Sequence, residues 1–537
     1  MWCKGSVFFA YLQIKVYLCA KFKYCSMKQS VKYIVASAWL ALLFSGSVLA
    51  IAPLPGLNLT EPVRQPAPQG MVQKQRAARA AMSEQAADLV SRGLLIVVEF
   101  ADLSLAAGNT KQSFDSLANA DDYTYNGAMG SCKKYYQDQS NGKYTPHFDV
   151  VGPVVLPQPL AFYGTDATSQ GDDRYVADFV IDACKGAQAM GVDFSNYDQD
   201  HDGYVDLVYI LYAGYSQADG APAESIWPHA WDMESALYFG NTYQTEYYVK
   251  YNNQGYITER NLPMLNGKTI LRYACSNELM YKNHKRTSIG TLCHEFGHVL
   301  GLADLYRTDG VASNEVPGSW ALMSNGNYLN NGNTPPNLSV WEKYALGWVE
   351  PKMLTANEKV VLPADGATYK MLNRSSVVPA EGAFATDTMF YIENRQMTGW
   401  DKYLPGHGML VWQIVYDATD WYYNEPNNHS TRMKLLAANG STPYTSNLTG
   451  GKRQDVPFPG SWYVTEFEPY THAYLSNIEE ADGVISFDFT NTVYTDVASP
   501  VVDTKADGMW HNLLGQPVDI QSYKGVAVSR QGKVLVR

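Results

Sequence analysis

The apolar positions change texture along the chain. Met27-Lys28-Gln-Ser-Val-Lys32 is a short basic start, Tyr33 to Phe44 is apolar, and Val48-Leu49-Ala50 is a small-residue cleavage pattern, with Ala50-Ile51-Ala52 as a second choice. The apolar part is short for a spanning helix, so residues 27–50 read as a secretory signal peptide, with an uncleaved membrane anchor as the alternative, and 1–26 as a doubtful extension from an upstream start. Residues 51–91 are rich in Pro, Ala, Gln and Arg and read as a propeptide, cut near Arg76 or Arg79. Gly93 to Phe100 is a continuous apolar run, the pattern of a strand buried on both faces. Helices are expected around Tyr135 and Tyr136, over about 172–190, from Ser288 to Leu300 and from Val340 to Leu346, with a strand over Val205 to Tyr212.

After Pro351 short apolar runs alternate with Gly, Pro and Asn turns, as at Met389-Phe-Tyr-Ile392, Gly408-Met-Leu-Val-Trp412 and Gly483-Val-Ile-Ser-Phe-Asp-Phe489. This predicts a sandwich-like all-β unit over 351–490, then a linker and tail over 491–537. The fold class expected is therefore α+β, with a catalytic domain over 92–350 ahead of the β-rich unit.

Composition narrows the class. The chain has 537 residues, 46% hydrophobic and 18% charged, with a formal net charge of -12 and no basic stripe. Nucleic acid is excluded as a partner on that ground, and no segment after the signal reads as membrane-spanning. Of seven Cys, Cys132, Cys184, Cys275 and Cys293 lie beyond the signal region. None has zinc-cluster spacing; two disulfides are open to them, with three connectivities. Cys293 reads as a buried thiol or a disulfide partner, not a ligand.

The chemistry concentrates in His294-Glu295-Phe296-Gly297-His298-Val299-Leu300-Gly301-Leu302-Ala303-Asp304. Residues four apart share a helix face, so His294 and His298 can address one metal, with Glu295 beside its water. Gly301 lets the chain turn back and bring Asp304 round as a third ligand. Three ligands and an open position make a catalytic zinc site rather than a structural one. Met323, in Gly318-Ser-Trp-Ala-Leu-Met323, stands where a Met-turn underlies such a metal. Asp198, Asp200, Asp202 and Asp206, with Gly203 at the sixth position, have calcium-loop spacing, although Tyr209 replaces the closing Glu of an EF-hand. His229, in Trp227-Pro-His229-Ala-Trp231, either approaches the cleft or packs between the two Trp.

Together these motifs resemble the immune inhibitor A family of secreted metallopeptidases, a metzincin-like group. The likeness rests on His294 through Asp304, Gly318 through Met323, the Asp198 to Asp206 loop, Trp227 to Trp231, and the Tyr391 to Gly408 run, and covers about 93–490. It implies a metzincin-like catalytic domain with a mixed sheet and an active-site helix. It also implies zinc on His294, His298 and Asp304, calcium as a brace, and protein or peptide substrates. Two departures from the usual metzincin pattern stand out. Asp304 takes the place of a third His, and its anionic charge leaves a zinc-held water less acidic. Asn325 stands where some metzincins have a Tyr, so Tyr328 and His229 are the candidate transition-state stabilisers. The expected function is a secreted endopeptidase with Glu295 as general base. The rival is a secreted surface- or glycan-binding protein whose β-rich unit makes the contact and whose protease domain has decayed.

Overall fold

A computed structural model of the chain describes residues 49–50, 91–166, 173–199, 201–253, 257–309, 316–364, 366–372, 388–417, 420–421, 424–438, 456–460, 463–470 and 473–491, and four short strands between 510 and 536. The upstream extension and most of the signal and propeptide segments, 1–48 and 51–90, lie outside the described residues.

The apolar run at Gly93 forms Arg92–Glu99, inside a six-stranded sheet. The strand order is Leu49–Ala50, His229–Asp232, Arg272–Leu279, Val208–Tyr215, Arg92–Glu99, His147–Val155. The last four run parallel, and the two at the other edge pair antiparallel. Side chains alternate across the sheet. Leu95, Val97, Tyr209 and Leu211 face one core with the helix Ile289–Val299; Leu94, Ile96, Val98, Val208 and Ile210 face the other with Val176–Ala189. Both faces are covered, so Leu94 to Val98 are all apolar and the first acidic residue, Glu99, comes where burial falls off. The expected helices occur at Cys132–Gln139, Val176–Ala189, Ile289–Val299 and Val340–Ala345. The expected strand from Val205 divides into Tyr204–Val205 and Val208–Tyr215.

Beyond Pro351 lie two further sheets. One has five strands, in the order Lys352–Met353, Tyr369–Leu372, Thr388–Arg395, Gly408–Val415, Met433–Leu436. The other has four, in the order Glu358–Leu362, Val484–Asn491, Ala473–Ala481, Phe467–Tyr470. They share a core of Phe390, Ile392, Met409 and Val411 from the first and Val360, Leu362, Leu475 and Phe487 from the second. The opposite face of the five-stranded sheet, with Met389, Tyr391, Leu410, Trp412 and Ile414, joins the cluster that holds Phe296 and Met323. Burying one such side chain stabilises by roughly 1.5–3 kcal/mol. The change in texture at 351 is thus a change of secondary structure and not a break in the core. Among the described residues no helix is long and apolar enough to cross a membrane.

Candidate metal centre

The helix Ile289–Val299 begins at Ser288 and carries His294 and His298 one turn apart. It stops at Gly301, whose φ of 93° is left-handed, and the Leu302 amide donates back to Gly297 O at 3.0 Å. That reversal returns the chain and sets Asp304 against both histidines. Nε2 of His294 lies 3.1 Å and Nε2 of His298 3.4 Å from Asp304 Oδ1. All three side chains are buried, and these three atoms face only one another, with no partner outside the group. Burying unsatisfied polar atoms is costly.

A metal would resolve that cost, and the spacing suits one. Tetrahedral zinc with N and O donors at about 2.0–2.1 Å sets those donors roughly 3.3 Å apart. Among the described residues this is the one group of three or more His, Cys, Asp or Glu placed to hold an ion. Both imidazoles are oriented for it from behind. Nδ1 of His294 is 3.0 Å from Leu322 O and Nδ1 of His298 is 2.9 Å from Leu302 O. A carbonyl only accepts, so Nδ1 donates and the Nε2 lone pairs point into the group. In the metal-free state burial by itself would lower the His294 imidazole, but Asp304 outweighs it and pushes the pKa up to about 9. Burial would raise Asp304, yet His298 and His294 hold it down at about 2. A cation bound here displaces a proton.

Met323 is fully buried below the ligands. Its carbonyl accepts from the Leu305 amide at 2.6 Å, and the preceding carbonyl is the one that holds His294. The turn therefore touches the segments of two ligands. Glu295, next to His294 in the site helix, is fully buried, and its charge is one of the influences raising His294.

The part of the site that sequence reasoning missed comes from the C-terminal region. The Asp304 amide donates to Asn424 Oδ1 at 2.6 Å, and Asn424 Nδ2 donates to Asp304 Oδ2 at 2.6 Å. Asn427 donates to Leu305 O at 2.8 Å, and Asn428 accepts from the Thr308 amide at 2.9 Å. Three asparagines thus run alongside the third-ligand segment. The only sequence signal was the density of Asn in Asn424-Glu-Pro-Asn427-Asn428.

Other candidates fall elsewhere. His229 is fully buried, with Nδ1 2.6 Å from Trp227 O and Nε2 3.0 Å from the Tyr273 hydroxyl. Of its two expected roles, this geometry is the packed one. Tyr328 lines a cavity with Ser288 and Thr291 of the site helix. In the acidic loop, Asp198 is ion-paired with Lys268 and accepts from the Gly203 amide. Asp206 accepts from Gln199, Asp202 accepts from the Tyr204 amide, and Asp200 lies outside the described residues. Cys132, Cys184, Cys275 and Cys293 are buried free thiols, so the described residues contain no disulfide among them.

With the geometry established, comparison with known proteins is informative. Residues 91–349 match the catalytic domain of the immune inhibitor A peptidases, M6. Immune inhibitor A of Bacillus thuringiensis subsp. alesti is 29% identical over 233 residues, covering 39% of this chain and 31% of that protein. The pre-pro-metalloprotease PrtV of Vibrio cholerae serotype O1 (strain M66-2) is 22% identical over 348 residues, covering 54% of this chain and 36% of its own. The chain thus spans about a third of the length of these curated relatives.

Proposed function

We propose that this chain, a member of the immune inhibitor A peptidase family through residues 91–349, is a secreted zinc-dependent endopeptidase acting on protein substrates. The observation that carries the reading is the buried convergence of His294 Nε2, His298 Nε2 and Asp304 Oδ1 with no other partner. We read the fold as metzincin-like, with the antiparallel strand His229–Asp232 beside the site helix and Met323 beneath the candidate ligands.

His294, His298 and Asp304 would hold the zinc. When bound, zinc supplies Lewis acidity toward a water and the scissile carbonyl. Glu295 is the general base: it takes the water's proton and delivers it to the leaving amine. Leu322 O and Leu302 O keep the imidazoles in one tautomer and orientation, and Asn424 keeps Asp304 from rotating. The surrounding apolar cluster excludes bulk water, so these groups act in a low dielectric.

The experiment is casein digestion by the purified chain, before and after chelation and after zinc is restored. Loss on chelation and recovery with zinc are expected; digestion that survives complete removal of metal would overturn the reading. Secretion is tested by the N-terminal residue of the exported protein, expected after Ala50 or beyond.

A further inference from the structure

We propose that the cavity beside the site helix is a specificity pocket, that it receives a lysine or arginine side chain next to the scissile bond, and that Asp219 selects that side chain. The proposal rests on the peptidase reading above and names its substrate class.

The position of the cavity comes first. Ser288 and Thr291 of the site helix form one wall, and Thr291 lies one turn before His294 on the same face. Tyr328, just beyond the Met323 turn, forms another, and Pro228 lines the side toward the sheet. Pro228 immediately precedes the strand His229–Asp232, whose outer side carries the edge strand Leu49–Ala50 paired antiparallel, Ala50 opposite His229. A peptide paired in the place of Leu49–Ala50, which lies against the site helix, would therefore run beside Pro228 at the cavity. The space open to the centres of water-sized molecules is about 70 Å³. A single water needs at least about 10–15 Å³ on this measure, so the cavity is wider than one water and takes the end of an unbranched side chain.

The chemistry of the cavity then decides what enters. Ala218, Pro228 and Met280 offer carbon surface for methylenes. The charged groups lining it are Asp219 and Lys282. Lys282 is exposed, and it is not among the charges acting on Asp219. One Asp219 oxygen accepts from the Tyr281 amide at 3.0 Å; the other is buried and has no hydrogen-bond partner among the described residues. Burial pushes the Asp219 carboxyl up to about 6, so it is ionised at neutral pH. A carboxylate lining a cavity with apolar walls is complementary to an ammonium or guanidinium on an aliphatic stem.

The test uses the zinc-replete full chain and two internally quenched peptides, alike except for Lys or Leu beside the scissile bond. A mixed-peptide digest is run alongside. Wild type is expected to favour the Lys peptide in kcat/KM by about tenfold or more. Asp219→Asn should collapse that ratio toward one, and Asp219→Arg should turn the preference toward Glu in the mixed digest. The ratio is internal to each preparation, so partial misfolding does not move it, and the wild-type digest needs no variant. Cleavage without enrichment of Lys or Arg at either flank, or an unchanged ratio in Asp219→Asn, overturns the pocket and leaves the peptidase reading standing. No cleavage of any peptide by the zinc-replete wild type overturns both.

Discussion

Asn424 acts on Asp304 with both of its polar atoms, one on the ligand's amide and one on its carboxylate. Outer partners of this kind fix a ligand's orientation, and losing them costs about 10–100-fold in metal affinity. Asn424→Ala is therefore expected to weaken zinc binding by about that factor, measured by competition with a chelator of known affinity; unchanged affinity would show that Asp304 is held by other means. The residues divide sharply in how legible they were. His294, His298 and Asp304 could be read because helix periodicity and one glycine turn bring them together within eleven consecutive residues. Asn424 could not, because it stands 120 residues from its partner and no local rule relates them. His229 was open to two readings from its flanking Trp residues. Burial and the Tyr273 hydroxyl separate them, and both follow from strand pairing that the local sequence does not specify.

At the scale of elements, the site helix is fitted closely to the turn beneath it. A Cβ built on Gly297 would stand 2.7 Å from Met323 Sδ and 3.2 Å from the Tyr136 hydroxyl. Gly297→Val should then destabilise by about 1–3 kcal/mol through overpacking, read as a lower urea midpoint. Adding Met323→Ala should recover part of that loss, whereas additive losses would mean that the two side chains do not compete for space. The helix Val340–Ala345 offers a test in pH. Its cap Ser339 donates to Glu342, and burial raises the Glu342 carboxyl to about 6. A folded pKa above the unfolded one near 4.5 means that the fold holds this proton more tightly. The favourable contribution is complete below about 4.5 and is lost as pH rises through about 6, by about 2 kcal/mol. Glu342→Gln should thus gain stability relative to wild type across that interval and hold a constant difference above it, followed by urea unfolding from pH 4 to 8. A difference independent of pH would remove Glu342 as the cause. Strand existence was legible here, but partners were not. The unbroken runs at Met389 to Ile392 and Met409 to Trp412 signal burial on both faces, and both faces are indeed covered. The alternation in Val484–Asn491 signals one buried face, as observed. Which surface covers each face depends on contacts that no local pattern encodes.

At the scale of the whole molecule, the region after Pro351 closes the core of the part that matches the peptidase family and delivers Asn424 to the candidate metal centre. A chain ending at residue 350 would expose the apolar surface now met by Tyr391, Leu410, Trp412 and Ile414. Such a truncation is expected to be insoluble or protease-sensitive and to retain no zinc at one equivalent; a soluble, zinc-bound and active 91–350 fragment would contradict the shared core. The most direct test of the central claim joins structure to chemistry in a single residue. Glu295 is fully buried beside the ligand set but is not one of its ligands. Glu295→Gln should keep one zinc per chain, measured by metal analysis, and lose nearly all casein cleavage, a fall of about 10²–10⁴-fold. A zinc-replete Glu295→Gln protein that digests casein at the wild-type rate would contradict the account.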